Sequence, residues 1–257
     1  MFNGRPVTSF FVVVWCIVPA VVLLMLSFSA SWRFPLVLPA SFTARHWKDF
    51  FAGNSSDLPA SCLVSLFIAA FVGGLATILG FGCSRWIASH RRKNLLLFIA
   101  YFPFVLSPVI FAVCLKYFFL RAGLAGNLAG VIFAQLIIVF PYSTIFLVSF
   151  WNKTIGDYVA VASTLGSGPA YINRHVLLPA AKSFLLTCFF QCFMISWFEY
   201  GLTSVIGYGK VQTLTIKVFQ FIGEANTYYA ALSSCLLILP PVLLLWFNKK
   251  FVLQAAR

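Results

Sequence analysis

The sequence is short of charge, and shortest of negative charge: Asp and Glu number 5 among 257 residues, and charged residues of both signs make up 9%. A soluble domain carries about a quarter, so an ordinary water-soluble enzyme is excluded at once. Cysteine supplies no framework either. The seven cysteines (16, 62, 83, 114, 188, 192 and 235) lie in or beside apolar runs, and none forms a CxxC pair. Cys188 and Cys192 share a helix face but lack His or acid neighbours, so they read as small packing residues. His46, His90 and His175 are scattered over separate loops and offer no metal-ligand spacing. No GxxxxGK[ST] run occurs, which removes the usual phosphate cradle; Gly207-Tyr-Gly209-Lys210 is too short to replace it. No catalytic residue, metal or cofactor is expected.

What is present is apolar. AVILMFWYC residues make up 61% of the chain and aromatics 18%, with a mean hydropathy of +0.96. A hydrocarbon core about 30 Å thick needs roughly 20 such residues in a helix. Stretches free of Asp, Glu, Lys and Arg are Pro6–Trp32, Leu58–Ser84, Asn94–Leu115, Ala122–Asn152 and Ala225–Asn248. A sixth, Ser183–Ile206, is interrupted only by Glu199. A closed barrel would show many alternating segments of about ten residues, and none is found. The expectation is an all-α membrane protein with six transmembrane helices. The apolar part of the first run, Thr8 to Phe28, is longer than a signal peptide core, so a retained anchor helix is expected.

The formal charge of +13 could point to nucleic acid or to a membrane; its distribution decides. With both termini in the cytoplasm, the inner segments hold Arg5, Arg85, Arg91, Arg92, Lys93, Lys153, Arg174, Lys182, Lys249, Lys250 and Arg257, with Asp157 the one acid. The outer loops hold Arg33, Arg45, Lys48, Lys116, Arg121, Lys210 and Lys217 beside Asp49, Asp57 and Glu224. The positive-inside rule favours that orientation. The cluster His90-Arg91-Arg92-Lys93 then reads as a topology determinant, and no nucleic-acid partner is expected.

The first outer loop, Ser29 to Pro59, is too short for a domain, and Trp32 and Trp47 in it suit the membrane interface. Pro103 and Pro108 sit in the third span, Pro141 in the fourth and Pro240-Pro241 in the sixth. Proline bends a helix, and bent inner helices suit a transport path. Gly126, Gly130 and Ala134 form one small-xxx-small ladder, and Ala76, Gly80 and Ser84 another. They suit close helix packing, within one chain or against a second subunit.

The loop from Trp151 to Lys182 is longer than a turn needs. Ile155, Tyr158, Val159, Ala162 and Leu165 mark one face of a short amphipathic helix. Gly166-Ser167-Gly168 breaks it, and Pro169 suits the first turn of a second helix running through Tyr171, Ile172, His175 and Val176. Pro179 is then expected to turn the chain back into the membrane. Such a bent pair is a protein-docking shape.

Gly166 is followed ten residues later by Val176 and then by Leu178-Pro179. This spacing resembles the cytoplasmic loop of type I binding-protein-dependent ABC importer permeases, whose pattern is Glu-Ala-Ala, three residues, Gly, nine residues, Ile or Val, one residue, Leu-Pro. Ala162 matches the second alanine, Leu165-Gly166 and Val176-x-Leu178-Pro179 match the rest, and Ala160 and Val161 depart from the glutamate and first alanine. Ser31-Trp-Arg-Phe-Pro35, Leu38-Pro39, Ser41-Phe-Thr-x-Arg45-His-Trp47, Pro103 to Pro108, Trp197-Phe-Glu-Tyr-Gly-Leu-Thr203 and Thr213-Leu-Thr-Ile-Lys-Val-Phe219 resemble the polyamine, thiamine and iron(III) branch of the same family.

The resemblance implies a type I ABC importer permease fold, with residues 1–257 forming a single transmembrane permease domain in the bacterial inner membrane. It makes the segment 151–182 a coupling loop for a separate ABC ATPase subunit. It adds a second permease subunit, identical or similar, and an extracytoplasmic solute-binding protein as partners. The branch it implies includes permeases for polyamines, thiamine, iron(III) and aminophosphonates, and the expected solute is a small cation such as polyamine, thiamine or iron(III). An ion-coupled secondary transporter or channel is the alternative; it asks for ionisable residues within the spans, and Glu199 is the one there. Glu199 can be a structural carboxylate bonded to Thr203, or a wall of the translocation path together with Pro103, Pro108 and Thr203. Asp157, one turn before Ala160, can substitute for the missing motif glutamate or simply favour a helix start.

Overall fold

A computed structural model describes residues 6–32, 39, 41–53 and 57–255. Arg5, Arg33, Arg257, and Phe34 to Leu38 of the outer-loop resemblance lie outside the described residues. In chain order the elements are α1 (Pro6–Ser27), β1 (Ser29–Ser31), β2 (Ser41–Phe42), α2 (Arg45–Phe51), α3 (Leu58–Ser89), α4 (Lys93–Val105) and α5 (Pro108–Arg121). There follow α6 (Leu128–Val148), α7 (Lys153–Thr164), α8 (Pro169–Ile172), α9 (Leu178–Trp197), α10 (Gly201–Ile206), α11 (Leu214–Gly223) and α12 (Thr227–Ala255). The two strands form an antiparallel ribbon in which Ser29 pairs with Phe42.

Four helices are long and apolar enough to cross a bilayer: Leu58–Ser89, Leu128–Val148, Pro169–Trp197 and Thr227–Leu244. Counting the bent pair α4 and α5 as one more makes five among the described residues. At 1.5 Å per residue α3 alone is about 48 Å long. Large apolar side chains such as Phe98, Phe102, Val105 and Ile110 stand exposed on these helices, as expected where lipid replaces water around helices that are apolar on every side.

The third expected span is not one helix. α4 and α5 meet at 97°, because Pro108 disfavours the α-conformation at the residue before it. Ser107 takes φ −60°, ψ 137° and Leu106 φ −96°, ψ 144°, both extended, while Pro108 starts α5, where its missing N–H costs nothing. Pro103 and Pro141 remain inside α4 and α6. The fifth expected span also ends early. α9 stops at Trp197, and Glu199 lies in the connection to α10 rather than in a helix.

The chain divides into two compact units, Met1–Val64 with Gln212–Val242, and Ser65–Val211 with Leu243–Arg257. In the first, Trp47 stacks on Phe28 with centroids 5.5 Å apart, and its indole N–H donates to Ser27 Oγ at 3.3 Å. The Trp32 backbone N–H donates to the Tyr228 hydroxyl at 2.9 Å.

In the second unit α6 packs against α4, α9 and α10. Ala112 and Phe119 of α5, Ala134 and Ile138 of α6, and Leu202 and Ile206 of α10 form one buried cluster. Small residues set the spacing, as they must where lipid removes most of the hydrophobic drive between helices. Gly80 leaves the room that the Ser143 side chain fills, and the Ser143 hydroxyl donates to the Ala76 carbonyl at 2.6 Å. One ladder is thus spent on packing inside the chain. In the other, Gly126 is not helical; it has φ +76° in the turn before α6 and donates its N–H to Ile206 O at 2.8 Å.

Candidate functional site

Polar side chains gather in the second unit in the segment between α6 and α9 and at the connection between α9 and α10. In the first, Asn152 caps α7, its side-chain oxygen accepting the Ile155 N–H at 3.0 Å, as expected of Asn at an N-cap. The C-terminus closes in a Schellman turn. Ser167 N–H donates to Ala162 O at 3.2 Å and Gly166 N–H to Ser163 O at 3.0 Å, with Gly166 at φ +80°. A left-handed residue costs an L-amino acid about 1–2 kcal/mol, so glycine belongs there.

The inward face of α7 carries Ile155, Val159 and Ala162, which pack with Phe150, Ile172, Val176, Leu177 and Ala181. Tyr158 and Leu165, expected on that face, point outward instead. They are exposed together with Asp157, Ala160 and Val161. The twelve-residue helix is too short to bury a wide stripe, and the cluster beneath it takes only the residues at 155, 159 and 162. The segment is tied to α3 by polar contacts. Trp151 Nε1 donates to Ser84 Oγ at 2.9 Å, Arg85 donates to Asn173 Oδ1 at 2.6 Å, and the Arg85 guanidinium lies 5.6 Å from the Trp151 ring centre.

Pro179 does not turn the chain. Pro169–Trp197 is continuous, with a π-helical segment at Asn173–Leu177 between α8 and α9. Inside a regular helix a proline ring collides with the carbonyl four residues back. The wider π turn just before Pro179 relieves that, and such turns are how helices absorb a local misfit. Leu178 and Pro179 are exposed, while Val176 is half-buried.

At the second place a cavity of about 300 Å³ lies under the α4–α5 break, lined by Pro108, Val109, Gln135, Ile195, Glu199 and Gly201 among others. Glu199 caps α10. Its carboxylate accepts from Leu202 N–H at 2.6 Å, from Thr203 N–H at 3.0 Å and from the Thr203 hydroxyl at 2.8 Å. Thr203 in turn accepts from Gln135 Nε2 at 3.1 Å, and Ser196 donates to Gln135 Oε1. Ser196, Gln135, Thr203 and Glu199 therefore form a chain of donors running in one direction to a carboxylate. In a low-dielectric surrounding each bond of such a chain reinforces the next. Gly201 lets α10 approach α5, since a Cβ there would stand 2.9 Å from Val109 Cγ2.

Pro108, Glu199 and Thr203 are thus brought together, with Pro108 and Glu199 on the cavity wall and Thr203 fully buried behind it. Pro103 is not among the lining residues. Gln135 and Ser196 were not singled out from the sequence. The available signal was an amide within the otherwise apolar run Ala122–Asn152, since a polar side chain at membrane depth must find a partner. A neighbouring cavity of about 360 Å³ is lined by Tyr142, Thr187, Gln191 and Ile195, with the Tyr142 hydroxyl donating to Gln191 Oε1 at 3.0 Å. Ile195 borders both cavities.

The sequence profile described as "Binding-protein-dependent transport system inner membrane component" matches residues 76–252. The chain is 24% identical over 247 residues to the putative 2-aminoethylphosphonate transport system permease protein PhnV of Salmonella typhimurium, covering 93% of this chain and 90% of that one. It is 23% identical over 237 residues to the spermidine/putrescine transport system permease protein PotC of Haemophilus influenzae, covering 88% and 87%. Among solved structures, a chain of the MetNI methionine ABC transporter in an inward-facing conformation shares the fold. Its TM-score is 0.55 at 16% identity, covering 79% of this chain and all of that one.

Proposed function

Because this chain belongs to the family of binding-protein-dependent transport system inner membrane components, we propose a division of labour within it: the α7–α8 segment receives an ATPase subunit, and the cavity under the α4–α5 break belongs to the solute path. The chain is a permease component of an ABC import system and a multi-pass inner-membrane protein. ATP hydrolysis is assigned to a separate polypeptide, since this sequence contains no P-loop. The remaining partners are a second permease subunit, the same chain or a similar one, and an extracytoplasmic solute-binding protein.

The observation that carries the docking assignment is the exposed face of α7. Asp157, Tyr158, Ala160, Val161 and Leu165 are all exposed next to the Gly166 turn, on a helix held to the membrane part by its opposite face. Six spans with both termini in the cytoplasm are proposed from the apolar runs and the distribution of bases. That orientation puts α7 on the ATPase side. The family match runs through both compact units, which supports a single permease domain.

For the path, broken helices at membrane depth are tolerated where they line a cavity or lie buried in protein. The α4–α5 break and the α9–α10 break meet at one cavity. Closure of the ATPases would shift the permease between two access states that solute and ATP bind unequally. Glu199 is the one acid lining this cavity among the described residues, and the proposed solute is cationic, as polyamine, thiamine or iron(III) would be. ATP-dependent uptake into vesicles, insensitive to an ionophore, together with retention of the ATPase on the purified permease, tests the assignment. Uptake driven by an ion gradient without ATP would overturn it.

A further inference from the structure

A groove of about 800 Å³ runs between α3 and α9 in the second unit. Gly74, Ile78 and Phe81 line it from α3, and Leu186 and Phe189 from α9. The Thr77 hydroxyl is committed to the Gly73 carbonyl at 2.7 Å, so the wall offers no free hydroxyl there. Arg174 stands at the α8 end of the groove and Lys182 about two turns further along it, both exposed, and no acidic side chain lines the groove among the described residues. The π segment at Asn173–Leu177 matters here. In an unbroken α-helix residues eight apart are roughly 80° out of line, and one extra residue per turn brings them to within about 20°. The two cations therefore face the same groove.

We propose that this groove holds an anionic phospholipid, with its headgroup on Arg174 and Lys182 and an acyl chain along α3 and α9. The dimensions favour a lipid over a helix. From Arg174 to Phe189 the groove follows about 22 Å of helix axis, close to the roughly 20–22 Å of one leaflet with its headgroup region. A spanning helix from a second copy would ask for about twice that length. The charge complements a phosphodiester at the membrane face, where basic pockets between helices recognise anionic headgroups, and long basic side chains reach headgroup level readily.

The test is titration of phosphatidylglycerol into the delipidated full chain in mild detergent, read by native mass spectrometry, with phosphatidylcholine as control. Wild type is expected to retain one phosphatidylglycerol in preference to phosphatidylcholine. Each cation near an anionic headgroup is worth roughly fivefold in affinity, so Arg174→Gln with Lys182→Gln should weaken phosphatidylglycerol about 30-fold and leave phosphatidylcholine unchanged. Gly74→Phe keeps both charges, meets nothing within 4 Å of its Cβ and fills the groove; it should weaken phosphatidylglycerol at least tenfold. Wild-type affinity in both variants, or equal binding of the two lipids by wild type, would overturn the proposal. So would disulfide linkage of two copies through Ile78→Cys in native membranes, which would assign the groove to a second copy of the chain.

Discussion

The Thr203 hydroxyl donates to the Glu199 carboxylate at 2.8 Å while the same residue's backbone N–H donates at 3.0 Å. Glu199 therefore holds the first turn of α10 from outside the helix, and with it the floor of the cavity below Pro108. Losing a charged acceptor from a part-buried cap costs about 1–3 kcal/mol. Glu199→Ala should lower the melting temperature of the purified permease clearly, and Glu199→Gln, which keeps one acceptor oxygen, much less. An unchanged melting temperature in Glu199→Ala would remove the capping role. Loss of uptake by a stable Glu199→Gln would mark the charge itself as part of the solute path.

Gln135 is the hinge of the polar chain, accepting from Ser196 and donating to Thr203. Hydrogen bonds between membrane helices are worth about 0.6 kcal/mol on average and up to about 1.7. A double-mutant cycle between Gln135→Ala and Ser196→Ala should give a coupling within that range, measured by unfolding in detergent. Additive effects would mean that the two side chains act independently.

The apolar runs were legible because a bilayer demands about 20 apolar residues whatever the fold around them. The breaks were not. Pro103, Pro108 and Pro141 look alike in sequence, yet only Pro108 coincides with a 97° bend. The difference is α10 packing onto α5 through Gly201, a contact between residues about ninety positions apart. Gly166 was legible as a helix stop because a left-handed turn leaves a local mark. The outward turn of Tyr158 and Leu165 was not, since the inward places go to whichever side chains the cluster around Phe150 and Ile172 can accommodate.

Gly80 faces the Ser143 side chain closely enough that any Cβ would overlap its hydroxyl. Overpacking of this kind costs about 1–3 kcal/mol. Gly80→Val should lower thermal stability by that order, and Ser143→Gly in the same chain should restore part of it, despite losing the bond to Ala76. If Ser143→Gly leaves the Gly80→Val defect untouched, the clash lies elsewhere.

At Gly166 the obstacle to substitution is the backbone, since nothing lies within 4 Å of an added Cβ. Gly166→Val should strain the Schellman turn by about 1–2 kcal/mol, leave membrane insertion intact and reduce the stimulation of ATP hydrolysis by loaded binding protein. Gly166→Asn, which tolerates the left-handed region better, should retain more coupling. Equal coupling in the valine variant and wild type would sever the turn from ATPase communication.

Asp157 is exposed on α7, and no ion pair engages it among the described residues. Ala160, one turn on, stands where the family pattern has glutamate; on the docking proposed above, Asp157 would offer an acid to a basic side chain of the ATPase from three residues earlier on the same helix face. The two positions are about 4.5 Å apart along the axis, a distance that a long basic side chain can follow. An exposed ion pair contributes about 0.2–1 kcal/mol, whereas charge reversal adds repulsion as well. Asp157→Lys should therefore cut the ATPase co-purified with the permease severalfold, more strongly at low salt. Asp157→Ala with Ala160→Glu, which returns the acid to the family position, should restore it. A carboxylate serving only the helix dipole would behave differently: Asp157→Lys would lower the helicity of α7 but leave the co-purified ATPase at its wild-type level.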